Sequence, residues 1–298
     1  MSFRLTTPAL FRRAFFVLGC CCGAALLTAA PKGPSAPPLT SLGGNDSAEA
    51  RSALEQVRHQ GIAGSYFLEF QLRVMPRRGD ERLIPGRLWG TRNEMGPVTR
   101  VALTLADPKG AKSERRLLIQ NGRESAVWRW DTGGGVQMLG AASPFEPVVP
   151  GVDLAAFDLQ MPFIFWESFK YEGLTRFRGR PAHVLVMRPP ADFAAKYPKL
   201  KGVRVHLDTQ FNALVQTQQL GENDVVLKTL VLLDLKKVGE QWIPKTFDVR
   251  DETTRNKTRF DVLAAALDLD FSRTLFTPAQ LDDEVRSPAE SQIVRISP

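Results

Sequence analysis

With 298 residues, 43% of them hydrophobic and 24% charged, the chain can build a sizeable core as one large domain or two ordinary ones. Its formal charge of +7 falls to about +4 once Arg4, Arg12 and Arg13 are set aside with the leader, a mild and dispersed excess that argues against a nucleic-acid-binding surface. All three cysteines, Cys20, Cys21 and Cys22, lie in that leader, so the remainder expects neither disulfides nor thiol chemistry.

In chain order, "MSFRLTTPALFRR" is basic and "AFFVLGCCCGAALLTAA" is apolar, ending in small residues. Residues 1–30 therefore read as an export signal, cut between Ala25 and Ala30 because Pro31 would obstruct cleavage after Ala30. Two variants stay open: "VLGC" loosely resembles a lipobox that would leave a lipidated Cys20, and "RRAF" echoes a twin-arginine signal. No later run reaches about 18 consecutive apolar residues, so the expected product is soluble and exported, in the periplasm. Residues 31–45, rich in Pro, Gly and Ser, read as a disordered tether. "DSAEARSALEQVRHQG" reads as a helix, with Asp46 and Glu49 as a capping box, Leu54 and Val57 on its apolar face and Gly61 at C′.

From Ser65 the period becomes two: Tyr66, Leu68, Phe70, Leu72 and Val74 alternate with Glu69, Gln71 and Arg73. Strand-like runs then recur at hairpin spacing, parted by "RRGDE", "DPKG", "NGRE" and "DTGGG". The expected fold is mainly β, an unclosed antiparallel barrel of about 11–12 strands with short covering helices. The domain is expected over 46–285, followed by a polar tail, 286–298.

One stretch breaks the rhythm. "VDLAAFDLQMPFIFWESF" suggests a helix capped by Asp153 and bearing Phe157 and Met161, stopped by Pro162, which opens a second short turn with Phe163, Phe165 and Trp166. On its own the pattern fits an ordinary core helix, but it also fits a lid over a hollow. A barrel of this strand number is wider than side chains need to fill it, since about eight strands suffice for that. "ADFAAKYPKLKG" reads as a loop or a single helical turn between strands, and "DVVLKTLVLLDLKKV" as a long strand that needs cover on both faces near Leu230 to Leu233.

Chemistry-bearing motifs are scarce. His59, His183 and His206 show no metal-ligand spacing and are expected on outward faces; no nucleophile elbow occurs, and "DTGGG" opens no helix. No catalytic residue, metal site or cofactor is assigned, and the expectation is a protein that is not an enzyme.

The order of elements nonetheless resembles the outer-membrane lipoprotein-sorting protein family, within the LolA/LolB-like superfamily. The marks are "GRESAVWRWD" with Trp128 and Trp130, "PGVDLAAFDL", "YEGLTRFRGRPAHVLVMRPP", "YPKLKGVRVHLD", the "DLKKV…WIP" hairpin and the closing "FDVLAAALDLDFSRTLFTPAQL". They run from about Ser47 to Leu281, and His206 stands where the family usually has tryptophan. The resemblance implies an apolar cavity sheltering acyl chains of lipoprotein or lipid cargo, with an inner-membrane transporter and an outer-membrane acceptor as partners. Alternation alone assigns Tyr66, Leu68, Phe70, Val101, Leu103, Trp128, Trp130, Val203, Val205, Val231 and Leu233 to the cavity wall. Phe157, Met161, Phe163, Phe165 and Trp166 form the expected lid. The competing reading is a non-catalytic interaction subunit of an envelope machine with a filled interior, docking through Leu230 and Leu232.

Overall fold

Period-two alternation over most of the chain folds into one antiparallel sheet, as seen in a computed structural model that describes residues 47–107, 109–139, 143–211 and 213–296. The expected export signal, the tether, Cys20 and the Asp46 cap lie outside the described residues. The strands are β1 (Ser65–Met75), β2 (Arg82–Asn93), β3 (Gly96–Ala106), β4 (Lys112–Gln120), β5 (Ala126–Asp131), β6 (Gln137–Leu139), β7 (Phe169–Phe177), β8 (Arg180–Met187), β9 (Gly202–Asp208), β10 (Leu214–Leu220), β11 (Val226–Val238), β12 (Gln241–Asp251), β13 (Lys257–Leu269) and β14 (Val294–Arg295). Among the described residues three α-helices accompany them: α1 (Ser47–His59), α2 (Ala156–Gln160) and α3 (Ala191–Lys196).

The strand order is β6-β5-β4-β3-β2-β1-β13-β12-β11-β10-β9-β8-β7, with β14 beside β13. The sheet is not closed, and its two edges, β6 and β7, are consecutive in the chain. The connection between them must therefore travel from one edge of the sheet to the other. That connection is the aromatic-rich stretch singled out above.

Cross-strand register sorts side chains into two faces. Leu68, Leu88, Val101 and Leu117 lie opposite one another on the inner face, the face that carries α1, α2 and the connection. Phe70, Phe260 and Phe247 continue this face across β1, β13 and β12 as a stack, with centroid separations of 4.4 and 4.6 Å. Phe67, Trp89 and Leu118 face outward and are covered by the C-terminal residues Leu275, Phe276 and Leu281.

The C-terminal stretch is held by two arginines of the outer face. Arg100 donates to the carbonyls of Leu275, Gln280, Leu281 and Asp283, and Arg116 to that of Asp282. Burial and the neighbouring Arg116 lower the Arg100 guanidinium to about 10. The expected polar tail also joins the fold. β12 pairs with β13 as far as Thr246–Asp261; beyond that point Ala264 and Ala265 pair with β14, and Ile296 is buried. Fourteen strands thus replace the about 11–12 expected from hairpin rhythm, the two-residue β14 being too short to leave a periodic signal.

Two glycines of β2 make room for the inner-face rings. A Cβ at Gly86 would lie 2.3 Å from the Phe70 ring, and one at Gly90 2.1 Å from that of Tyr66. Gly86→Ala should destabilise the protein by about 1–3 kcal/mol in urea unfolding, and adding Phe70→Leu should recover part of the loss.

His206 lies on an outward face as expected, whereas His183 corrects that expectation by sharing the inner face with Leu185; both are buried. His206 lies on the outer face beneath Phe177, with rings 5.9 Å apart and its Nδ1 without a partner among the described residues. Burial, and then Arg204, depress it to about 4. From about pH 6.5 down to that value the unfolded chain takes up a proton that the folded chain refuses, so stability falls as pH falls. Over this window the wild type should lose up to about 3 kcal/mol that His206→Gln does not lose, measured by urea unfolding at pH 7 and pH 4.5.

Candidate functional site: a crossing segment over the inner face

Residues 143–168 form the connection between the sheet edges. Its apolar residues cannot remain in water, and its two helical turns are too short to satisfy their own termini, so it must find cover and partners elsewhere. Pro147 bridges to Ala155, and the Val148 N–H donates to the Leu154 carbonyl at 2.8 Å, closing a small loop. Helix α2 follows, entered not through Asp153 but through Asp158, whose carboxylate accepts the Ala155 N–H at 2.8 Å. Asp153 instead binds Thr258, accepting its hydroxyl at 2.9 Å while its own N–H donates to Oγ1 at 3.0 Å. Burial pushes the Asp153 carboxyl up, against the lowering effect of that hydroxyl. Met161 turns the chain with φ 47°, and Pro162–Phe165 form the expected second turn, a 3-10 helix.

The segment fills two apolar regions. Val148, Val149, Val152 and Leu154 pack into the cluster of Leu68, Phe70, Val101, Leu103 and Leu117. Phe157, Phe163, Ile164 and Trp166 pack against Leu185, Met187, Val203, Val205 and Leu207, with Ala50, Ala53 and Leu54 of α1 closing the side. Their rings form a network with Phe145, Phe193 and Tyr197: Phe145–Phe157 4.9 Å, Phe157–Phe163 5.7 Å, Trp166–Phe193 5.5 Å and Phe193–Tyr197 4.8 Å. Tilted and edge-on ring pairs add directional attraction to the burial.

The polar attachments follow a pattern. Among the described residues, the backbone–backbone hydrogen bonds of positions 144–166 stay inside the segment. Side-chain donors of the surrounding wall reach its carbonyls: Asn121 to Leu159 and Gln160 at 2.7 and 2.9 Å, Arg58 to Ile164 and Trp166 at 2.8 and 3.2 Å, Arg115 to Val148 at 2.5 Å, and Arg82 to Pro150. At the centre, Asp158 accepts from Gln219 Nε2 at 2.7 Å and from Lys228 Nζ at 2.8 Å. Both ions are largely withdrawn from water, with side-chain exposures of 5% for Asp158 and 14% for Lys228. Near α1, His183 Nδ1 lies 2.9 Å from the Tyr171 hydroxyl, and burial lowers its pKa.

The expected wall residues divide between the faces. Tyr66, Leu68, Phe70, Val101 and Leu103 border the first apolar cluster, and Val203 and Val205 belong to the second. Trp128 and Trp130 do not join them. Register places them opposite Leu118 and Arg116 on the outer face, where the Arg116 guanidinium lies 4.5 Å from the Trp130 ring centroid. Val231 pairs with Asp248 and Gln216 on the outer face, and Leu233 occupies an irregularity between Leu232 and Asp234. Leu230 packs instead with the inner cluster. Of the expected lid residues, Phe157, Phe163 and Trp166 are buried, whereas Met161 and Phe165 are half-buried. The anchors Asp158, Gln219, Lys228, Asn121 and Arg58 escaped the sequence reading. One signal was present: Lys228 is the lone charge in the apolar run "VVLKTLVLL".

Comparison with known proteins agrees with this architecture. The fold is LolA-like. A crystal structure described as an outer membrane lipoprotein-sorting protein domain from Vibrio parahaemolyticus superposes with TM-score 0.64 at 15% identity, covering 78% of this chain and 97% of that one. A DUF1329 family protein from Desulfovibrio piger gives 0.64 at 14% identity, over 79% and 98% of the two chains. A LolA superfamily protein from Nitrosomonas europaea gives 0.56 at 16% identity, over 76% and 97%. A family model described as "uncharacterized protein" matches residues 149–283. No curated protein matches in sequence.

The buried Asp158–Lys228 pair should be asymmetric under mutation. Asp158→Ala leaves a buried ammonium without its counter-ion and should cost roughly 3–5 kcal/mol in urea unfolding, while Asp158→Leu combined with Lys228→Met should recover most of that loss.

Proposed function

We propose that this protein is a non-catalytic periplasmic carrier that shelters acyl chains of lipoprotein or lipid cargo against its inner face, using residues 143–168 as a displaceable cover. The observation that carries this reading is the mode of attachment: the cover contributes no strand to the sheet, the backbone–backbone hydrogen bonds of its positions 144–166 are internal, and over that span it is held to the wall by contacts that involve side chains. Such contacts can be exchanged for water, whereas lifting a strand would break a ladder. The LolA-like fold of the lipoprotein-sorting domain supports the same reading.

The energetics permit an exchange. Each CH₂ taken out of water gains about 0.8 kcal/mol, so one long acyl chain gains on the order of 10 kcal/mol. Moving four or five large apolar side chains of the cover into water costs about 1.5–3 kcal/mol each, a comparable sum. Loading and release then differ by little, which suits transfer more than storage. In this reading an inner-membrane transporter loads the cargo and an outer-membrane acceptor takes it; residues 1–30 supply export, with Cys20 as the alternative lipid anchor.

One observation favours a second reading, an accessory subunit that docks a partner. Eight consecutive residues of β11, Val226–Leu233, are only half-buried. Native mass spectrometry of the mature protein, purified from the exporting host without detergent, separates the two. The carrier reading predicts added mass that is released as acyl lipid on denaturation. A bare mass, unchanged after incubation with fatty acid and phospholipid, would contradict it and favour the docking subunit.

A further inference from the structure

The inner wall has a polar interruption where the cover meets it. Lys228 of β11 and Gln219 of β10 are direct cross-strand partners, flanked by Val203 on β9 and Leu230 on β11. Both aim at one carboxylate: Gln219 Nε2 lies 2.7 Å from Asp158 Oδ1 and Lys228 Nζ 2.8 Å from Oδ2. The carboxylate belongs to the cover, while the two donors belong to the wall.

Displacing the cover therefore removes the counter-ion but leaves the ammonium. Asp251 is the nearest wall carboxylate in register, opposite Lys228 on β12. Its Oδ1 accepts the N–H groups of Thr253 and Thr254 at 2.9 and 2.7 Å, which ties the carboxylate into its own turn, and among the described residues Lys228 pairs with Asp158 and not with it. An ammonium beside valine and leucine side chains needs a replacement anion, because an unpaired charge in such surroundings is strongly disfavoured.

We propose that Lys228 and Gln219 form a head-group site for an anionic amphiphile, whose carboxylate or phosphate takes the place of the Asp158 carboxylate while its acyl chain lies along the inner wall. The inference rests on the carrier reading and adds a substrate class to it. Asp158 then acts as a built-in competitor: it holds the donors in the closed form and lowers the apparent affinity by the fraction of time that it occupies them.

The test compares amphiphiles of equal chain length on the mature protein by isothermal titration. Hexadecanoate should bind about tenfold or more tightly than hexadecanol, equivalent to roughly 1.4 kcal/mol. Lysophosphatidylglycerol against the phosphate-free, uncharged monohexadecanoylglycerol asks the same of a phosphate; whichever pair shows the larger preference identifies the source of the anion. Lys228→Met should abolish the preference, and Asp158→Asn, which frees both donors without removing them, should tighten hexadecanoate. Equal binding of the charged and uncharged members of both pairs to the wild type overturns the head-group site while leaving the carrier reading intact. Absence of binding by all four overturns the carrier reading itself. The wild-type comparison needs no variant, so it decides the matter even if Lys228→Met does not fold.

Discussion

A sheet whose two edge strands are consecutive in the chain must route the connection between them across one of its faces. Here the chain leaves the edge at β6 and re-enters at β7, twelve places away along the strand order. The inner face it has to cross is lined by Leu68, Phe70, Val101, Leu117, Leu185 and Val205, which need cover. Topology and the hydrophobic effect thus make the same demand. The aromatic-rich stretch Gly151–Gly173 meets it by packing Val152 and Leu154 on one half of the face and Phe157, Phe163 and Trp166 on the other.

The way this cover is held follows from its local structure. Helix α2 has five residues and the 3-10 turn after it four, so most of their carbonyls lack intrahelical donors. Asn121 and Arg58 supply those donors from β4's end and from α1. Asp158 joins the cover's interior to the wall through Lys228 and Gln219. Apolar burial gives the cover its affinity for the wall, and the polar contacts fix its register. The opposite face is treated differently: buried Arg100 and Arg116 bind backbone carbonyls of the C-terminal stretch and hold it to β3 and β4. Only the inner cover joins the two free edges of the sheet.

The sequence made the strands visible because period-two alternation is a local property. β1 through β13 all coincide with alternating or apolar runs, and the interruption at 151–173 was recognisable by composition. Which face an alternating run presents is not local. Trp128 and Trp130 share a face, as alternation requires, but it is the outer one, and the residues that cover them come from the C-terminal stretch about 150 positions later. At Val231 and Leu233 the register shifts between Leu232 and Asp234, and such a shift leaves no mark in hydropathy. The Asp158–Gln219–Lys228 contact joins three elements spaced 61 and 70 residues apart, so no motif could announce it. His183 and His206 look like ordinary polar strand residues until the packing of Tyr171 and Phe177 over them is known.

The account's central claim is that residues 143–168 detach from the inner face while the sheet stays folded. Amide hydrogen exchange tests it directly, comparing this segment with β1 and β13 under native conditions. The account predicts that the segment exchanges through a local opening whose free energy is well below that of global unfolding, with β1 and β13 still protected. Exchange of the segment only through the same global opening as β1 and β13 would contradict it.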